Sequence, residues 1–297
     1  MKIAITGSSG LIGSALVREL TRDGHQVLRL VRRAPISASE IRWEPNGKIP
    51  SNEVLRALEN SEVAINLGGA GVGDKRWTNA YKNEIRNSRL NTTCTIVEAI
   101  NAVSIPRFIS SSAIGWYGDT GNREVNESDP AGDDFLARVC VDWEAAAQRA
   151  DSSTVLIRTG LVLAPEGGAL GRMIPLFKAG LGGKLGNGRQ WWSWVSIYDQ
   201  IKATKFLLNS GLTGPVNFTS PQPATNFEVT AALARALNRP ALLPAPSIAI
   251  RVALGGFASE VLGSKKVLPN SLLAAGYEFE YPHITQALSA LLSESEK

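Results

Sequence analysis

Three glycines near the start of the chain, Gly7, Gly10 and Gly13, recur at every third position. They follow an apolar run at residues 3–5, typical of a buried parallel strand, and precede a helical pattern of apolar residues. Such a turn lets backbone N–H groups approach a pyrophosphate, with the positive end of a helix dipole pointing at it. The spacing predicts a dinucleotide-binding turn, although glycines also serve in tight connections that bind nothing. The predicted cofactor contacts in this segment are Thr6, Gly7, Ser8, Ser9, Gly10, Leu11, Ile12 and Gly13.

Two arginines, Arg32 and Arg33, follow the second predicted strand. An enzyme that binds NAD is expected to carry an acidic residue there for the ribose hydroxyls, and this chain has none before Glu40. Guanidinium groups suit a phosphate dianion, because they donate paired, charge-assisted hydrogen bonds. The pair therefore favours NADP (NADPH) over NAD, with two solvated arginines as the alternative.

Further cations and aromatic residues could bind a substrate. Lys75, Arg76 and Trp77 offer two cations and a stacking surface, and a solvated charge pair beside a packed tryptophan is equally plausible. Arg158 ends an apolar run, and Trp194 closes a segment that contains three tryptophans. We predict that these five residues contact the substrate, although core packing is the more frequent role of such tryptophans.

An alternation of strands and helices must position these groups. Strands are predicted at 26–31, 63–67, 106–112 and 154–163, and helices at 51–60, 78–102 and 134–150. The pattern indicates an α/β fold, a Rossmann-type doubly wound parallel sheet with its ligand across the carboxyl ends of the strands. We expect a dinucleotide-binding domain at 1–163, with part of 189–218 returning to it, and a smaller substrate lobe and C-terminal helical region at 164–297. Residues at the strand ends that should face the cofactor are Leu67, Gly68, Gly69, Ala70, Ser110, Thr159 and Gly160.

The composition of the 297-residue chain excludes several classes of function. The net charge is +4 and the basic residues are dispersed, which argues against a nucleic-acid partner. No apolar run has the length of a membrane span, and two cysteines give no disulfide framework, so we expect a cytoplasmic protein with no membrane partner. His25 and His283 lie far apart without partner cysteines, so no metal site is expected.

Several motifs together resemble the extended short-chain dehydrogenase/reductase superfamily. They are Thr6-Gly-Ser-Ser-Gly-Leu-Ile-Gly13, Asn66-Leu-Gly-Gly-Ala70, Phe108-Ile-Ser-Ser-Ser-Ala113 and Tyr117-Gly118. Asn91-Thr-Thr-Cys-Thr95 is similar to a helix motif of that group, with Cys94 in place of a glycine, and the resemblance gives Asn91 a role beside the cofactor. Another set resembles an atypical, NAD-dependent epimerase-like subfamily with its own C-terminal helical region. That set comprises Lys75-Arg-Trp77, Ser88-Arg89, Trp143-Glu144, Arg158-Thr-Gly-Leu-Val-Leu-Ala-Pro165, Gly186-Asn-Gly-Arg-Gln190, Trp194 and Arg239-Pro240.

The superfamily pattern breaks at the residues that do acid/base chemistry. The resemblance implies a serine, matched by Ser112 or next by Ser111, and a Tyr-x-x-x-Lys pair on the following helix. Phe135 and Val139 occupy the places of that tyrosine and lysine, and shifting the register by one residue gives Leu136 and Cys140. Tyr117 is an alternative proton donor, with a packed loop aromatic as its other interpretation. Arg138 and Cys140 are further candidates.

The leading hypothesis is an NADP(H)-binding oxidoreductase or epimerase-like protein that acts on a small polar metabolite. The alternative is a catalytically inactive protein that binds the cofactor as a regulator or sensor. Members of the superfamily commonly dimerise through helices such as 78–102 and 134–150, so a homodimer is possible. Asp199 resembles a structural aspartate that caps the helix after it.

Overall fold

The computed structural model describes residues 1–294. Its strands are β1 (Lys2–Thr6), β2 (Gln26–Val31), β3 (Glu40–Arg42), β4 (Val63–Asn66), β5 (Arg107–Ala113), β6 (Glu124–Val125), β7 (Ser153–Thr159), β8 (Leu161–Ala164), β9 (Trp191–Trp192), β10 (Trp194–Ser196), β11 (Gly214–Phe218), β12 (Ala224–Thr225) and β13 (Lys266–Val267). Its α-helices are α1 (Leu11–Arg22), α2 (Asn52–Leu58), α3 (Asn79–Val103), α4 (Phe135–Ala147), α5 (Gly168–Lys178), α6 (Ile197–Asn209), α7 (Asn226–Ala236), α8 (Ser247–Leu254), α9 (Ala258–Leu262), α10 (Asn270–Ala274) and α11 (Ile284–Glu294). Short 3-10 helices span Ile114–Tyr117 and Gly255–Phe257.

A parallel seven-stranded sheet in the order β11-β7-β5-β4-β1-β2-β3 forms the centre. Alternate residues of its strands face opposite layers, so Ile3 and Ile5 of β1 enter one core while Ala4 enters the other. Apolar residues of α1 and α6 cover the first face, and those of α2 and α3 cover the second. Helices on both faces of a parallel sheet confirm the predicted Rossmann-type fold.

The strand predicted at 154–163 is two strands with a break at Gly160. A Cβ atom at Gly160 would lie 2.5 Å from the carbonyl oxygen of Ser193, so only glycine allows this close crossing. After the break the chain leaves the main sheet, and β8 pairs with β10 in a separate two-stranded sheet. β11 then joins the edge of the main sheet beside β7. The domain boundaries at 163 and 164 stay a prediction, and residues 295–297 lie outside the described part of the chain.

Contacts from the C-terminal region tie it to the sheet domain. β13 pairs with β6, which lies in the long loop after β5. The carboxylate of Asp199 accepts hydrogen bonds from the Tyr277 hydroxyl and from the backbone N–H groups of Glu280 and Tyr281, at 2.8–3.2 Å. The prediction that Asp199 caps α6 is therefore wrong, because the hydroxyl of Ser196 is the N-cap acceptor. Within residues 1–294, no helix is both long and apolar enough to cross a membrane.

Candidate functional site

The glycine turn between β1 and α1 packs tightly on one side and is open on the other. Gly7 has φ +67°, and a Cβ atom there would lie 2.6 Å from the carbonyl group of Leu67. A Cβ atom at Gly13 would lie 2.2 Å from the Gly7 oxygen, whereas one at Gly10 would meet nothing closer than 3.4 Å. Gly10 is exposed and makes no side-chain cap, so the turn offers an open backbone surface at the start of α1. This cradle fits a pyrophosphate.

Three arginines, Arg29, Arg32 and Arg33, lie in β2 or directly after it, and they differ in their partners. Glu40 accepts hydrogen bonds from Nη1 and Nη2 of Arg33 at 2.8 and 2.7 Å, and it forms an ion pair with Arg29 at 3.1 Å. The Arg33 hydrogen bonds lower the pKa of Glu40 to about 2. Arg32 is exposed and has no ion-pair partner in the described part of the chain. Of the two arginines predicted to favour NADP, Arg33 is therefore bound to a carboxylate, whereas Arg32 is not bound to one within residues 1–294.

The loop after β4, residues 67–70, lies beside the glycine turn, and the two together border the predicted cofactor cleft. Asn66, the last residue of β4, anchors this loop through three hydrogen bonds. Its Oδ1 accepts from the Thr6 hydroxyl at 2.6 Å, and its Nδ2 donates to the hydroxyls of Thr93 at 2.8 Å and Ser110 at 3.4 Å. Thr6 and Ser110 are buried in this network, which argues that their side chains support the site rather than contact a cofactor. Leu67, Gly68 and Ala70 are partly exposed and Gly69 is exposed, so a cofactor could reach them, and their contact with it stays a prediction.

The other predicted cofactor contacts lie on α3 and at the end of β7. Asn91 is exposed and lies beside Gly47, in the loop after β3. This position fits a surface amide as well as a cofactor contact. Thr159 and Gly160 are partly exposed at the end of β7, the neighbour of β5. The carboxyl ends of β1, β4, β5 and β7 thus carry the glycine turn, the 67–70 loop, the serines and this pair along one edge.

Ser112 belongs to a buried charged network. Its hydroxyl donates a 2.6 Å hydrogen bond to Oε1 of Glu144 on α4. Arg158 of β7 binds the same carboxylate with Nε at 2.8 Å and Nη2 at 2.9 Å. All three side chains are buried, whereas Ser111 is partly exposed. Glu144 was not predicted as a site residue, and the only signal for it was the match of Trp143-Glu144 to the subfamily.

Tyr117 and Arg158 belong to a buried hydrogen-bond network. The Tyr117 hydroxyl donates to Oδ1 of Asn217 at 2.8 Å and accepts from Nη1 of Arg158 at 3.0 Å. Burial raises the pKa of Tyr117 to about 12, which disfavours proton exchange near neutral pH. The Arg158 guanidinium lies 3.9 Å from the Trp116 ring and is 3% exposed. The raised pKa argues against the predicted role of Tyr117 as proton donor. Nε, Nη1 and Nη2 of Arg158 are already bound to Glu144 and Tyr117, which argues against its predicted role as substrate contact.

Helix α4 carries no acid/base pair at the expected places. Phe135 packs edge-on against Trp77 with ring centres 5.3 Å apart, and Val139 is buried. The Cys140 thiol donates to the carbonyl of Ala113 at 3.7 Å, and burial raises its pKa to about 12. Arg138 is exposed. At the places that the resemblance gives to the tyrosine and the lysine, α4 thus has a packed aromatic ring and a buried aliphatic side chain.

The C-terminal region contacts two of the residues that were predicted to bind a substrate, Arg76 and Trp77. The ring of Phe257 lies 5.8 Å from that of Trp77, and Gly255 lies against the Arg76 guanidinium. Lys75 is exposed and forms an ion pair with Glu84 at 3.1 Å. Trp194, in contrast, is 0% exposed in the main core, so the prediction that it contacts a substrate is corrected. No group of three potential metal ligands occurs among residues 1–294.

The fold and the arrangement of these loops define a Rossmann-type α/β protein. The chain belongs to the NAD-dependent epimerase/dehydratase family, whose model matches residues 3–218. Residues 245–291 match a domain of unknown function. These matches confirm the resemblance to extended, epimerase-like reductases that the motifs indicated.

Similar proteins cover nearly the whole chain. An epimerase family protein of Mycobacterium bovis is 45% identical over 292 residues, which is 96% of each chain. The chloroplastic SDR39U1 homolog of Arabidopsis thaliana is 36% identical and covers 98% of this chain and 87% of its own. The crystal structure of human SDR39U1 (isoform 2) with NADPH has a TM-score of 0.91 at 31% identity and covers 99% of both chains. UDP-N-acetylglucosamine 4-epimerase from Bacillus cereus shares the fold at 17% identity, with a TM-score of 0.79.

Proposed function

We propose that this chain binds NADP(H) across the carboxyl ends of β1, β2 and β4. The observation that carries the proposal is the open backbone cradle at Gly10 together with Arg32, the arginine at the end of β2 that no carboxylate neutralises. A pyrophosphate would lie on the cradle, and the 2′-phosphate of the adenosine would lie at Arg32. The human relative, crystallised with NADPH, supports this choice of cofactor over NAD.

We further propose an oxidoreductase or epimerase-like reaction on a small polar substrate beside Ser111 and Ser112. The nicotinamide supplies or accepts a hydride when it is bound. The Ser112 proton points at Glu144, so the remaining lone pairs of Oγ can accept a hydrogen bond from a substrate hydroxyl. Glu144 thereby orients the serine as an acceptor, which favours an alcohol over a carbonyl as the group that Ser112 first binds.

A second function is favoured by the packing of α4. Phe135 and Val139 fill the places of the acid/base pair with apolar side chains, and general acid/base catalysis typically contributes about 10²–10⁴-fold in rate. A protein without that contribution retains the cofactor and can report its presence, as a regulator or sensor does. The two functions share the cofactor and differ in turnover.

The cofactor proposal is tested by calorimetric titration of NADPH and NADH. The wild type should bind NADPH with a micromolar Kd or tighter. Arg32→Ala should weaken NADPH about tenfold to a hundredfold, the range for a charged hydrogen bond, and leave NADH unchanged. Arg56→Ala, at an exposed position of α2, is the matched control. Equal affinity for the two cofactors that Arg32→Ala does not alter would contradict the NADP assignment.

Turnover separates the two functions. Wild-type protein with NADP⁺ or NADPH is incubated with a panel of alcohols, carbonyl compounds and sugar nucleotides, and the absorbance of NADPH is followed. The enzyme proposal expects a change that Ser112→Ala abolishes without altering the Kd of NADPH. Tight binding of NADPH with no Ser112-dependent change on any compound favours the sensor.

A further inference from the structure

Arg89 of α3 is wedged between the 67–70 loop and α4. Its Nη1 donates to the carbonyl oxygens of Ala70 and Ile85, each at 2.9 Å. The guanidinium carbon lies 5.1 Å from the centre of the Trp143 ring. A Cβ atom at Gly69 would lie 3.2 Å from Cγ of Arg89, so the absence of a side chain at Gly69 makes room for the arginine. These contacts fix the guanidinium at the wall of the predicted cofactor cleft.

The positive charge of Arg89 has no counter-ion in the described part of the chain. Arg86, one turn earlier on the same helix, forms an ion pair with Asp142 at 2.8 Å. Arg89 forms none with any residue in the range 1–294, and its Nε and Nη2 atoms make no hydrogen bond there. Burial lowers the pKa of Arg89, because the charged form loses hydration. Arg89 is partly exposed, and neither Nε nor Nη2 is among the fully buried atoms without a partner, so both keep some accessible surface.

The position of Arg89 corresponds to one end of the proposed cofactor. Gly10 and Arg32 lie at the ends of β1 and β2, which would hold the pyrophosphate and the adenosine. The sheet continues from β1 to β4 and β5, so the nicotinamide half must extend toward the 67–70 loop and Ser112. Arg89 contacts that loop, and it rests on Trp143, one turn beyond Val139 on α4.

We infer that Arg89 is a cofactor-binding residue whose Nε and Nη2 donate hydrogen bonds to the ribose hydroxyls of the nicotinamide nucleoside. It brings a fixed cation to this side of the cleft, where α4 has the apolar Val139. This inference rests on the proposed binding of NADP(H) and assigns a residue to the half of the cofactor that the glycine turn and Arg32 do not reach.

Ligands of different length locate the contact. Calorimetric titrations use NADPH, 2′-phospho-ADP-ribose, which keeps the second ribose without nicotinamide, and 2′,5′-ADP, which lacks both. We expect Arg89→Met to raise the Kd of NADPH and of 2′-phospho-ADP-ribose about tenfold or more, and to leave 2′,5′-ADP unchanged. Arg89→Lys should lose less affinity. Arg86→Met, which removes an exposed ion pair of the same helix, should bind all three ligands as the wild type does.

The outcomes separate this inference from the cofactor proposal. Failure of the wild type to bind NADPH would remove the cofactor proposal itself. Wild-type binding of NADPH that Arg89→Met does not weaken would overturn the inference alone. Equal losses for NADPH and 2′,5′-ADP would also overturn it, because they would show that the substitution disturbs the adenosine end of the site rather than a contact with the nicotinamide ribose. Loss of NADPH with unchanged 2′-phospho-ADP-ribose would move the contact away from the ribose and overturn the assignment.

Discussion

The hydroxyl of Ser112 and the carboxylate of Glu144 are joined by a 2.6 Å hydrogen bond in the interior of the protein. Arg158 neutralises the carboxylate through two hydrogen bonds of its own. The serine that the resemblance places beside a substrate is thus oriented by a charged pair. Because both charges are buried, each one needs the other as its counter-ion.

Removal of one partner of the Glu144–Arg158 pair should be costly. We expect Glu144→Leu to lower the free energy of unfolding by about 3–5 kcal/mol, because it leaves Arg158 buried without a counter-ion. The double variant Glu144→Leu/Arg158→Met should recover most of that loss. Glu98→Leu, which breaks an exposed pair with Arg149 at 3.4 Å, should cost about 1 kcal/mol or less. Urea unfolding measures all four proteins, and a double variant no more stable than Glu144→Leu would contradict the expectation.

Two glycines of the turn, Gly10 and Gly13, should respond differently to alanine. Gly10→Ala should change stability by about 1 kcal/mol or less, because its Cβ fits the apo fold at 3.4 Å from the nearest atom. Its NADPH Kd should rise about tenfold or more, a loss of about 1.4 kcal/mol, since the methyl group occupies the cradle. Gly13→Ala should lose about 1–3 kcal/mol of stability through the 2.2 Å clash. Gly211→Ala, with open space around it, is the control. Unchanged NADPH binding in Gly10→Ala would place the pyrophosphate elsewhere.

Glu40 should contribute to acid sensitivity. The Arg33 hydrogen bonds lower its pKa from the ordinary 4.5 to about 2 in the folded state. A depressed pKa stabilises the fold above the unfolded value, and this stabilisation is lost as the pH falls from about 4.5 to about 2. Glu40→Gln should therefore be less stable at pH 7 and show a shallower loss of stability over that interval. Urea midpoints from pH 6 to pH 2 test this, with Glu44→Gln, an exposed carboxylate 3.6 Å from Arg42, as the control. Parallel pH curves for wild type and Glu40→Gln would be inconsistent with the shift.

A lysine at position 139, where the resemblance places the lysine of the superfamily, should destabilise the protein. Val139 is 3% exposed, so Val139→Lys would bury an ammonium group and should lower the free energy of unfolding by about 2 kcal/mol or more. The same substitution at Val141, which is 39% exposed on the same helix, should stay within about 0.5 kcal/mol. Thermal or urea unfolding of the two variants gives the comparison. Equal stability of the variants would mean that α4 is less tightly packed than its burial indicates.

Much of the fold follows from local patterns. Apolar runs of strand length that alternate with helical periodicity predicted β1, β2, β4 and β5 and their helices, because burial on two faces of a parallel sheet requires such runs. The break of the 154–163 run at Gly160 was missed, since apolar residues continue on both sides of it. Only the approach of Ser193, distant in sequence, makes that glycine a crossing point.

The sequence by itself determined the family and the glycine turn, because both depend on residue types at short, regular spacings. The tertiary structure alone decided which charges are free. Arg32 and Arg33 are adjacent in sequence, yet Arg33 is bound to Glu40 and Arg32 has no carboxylate partner among the described residues. Likewise, Arg158 is neutralised by Glu144 from another element, while Arg89 donates to the carbonyl of Ala70 and has no carboxylate partner within residues 1–294. Charge pairing depends on distances in space between elements, and local spacing carries no record of those distances.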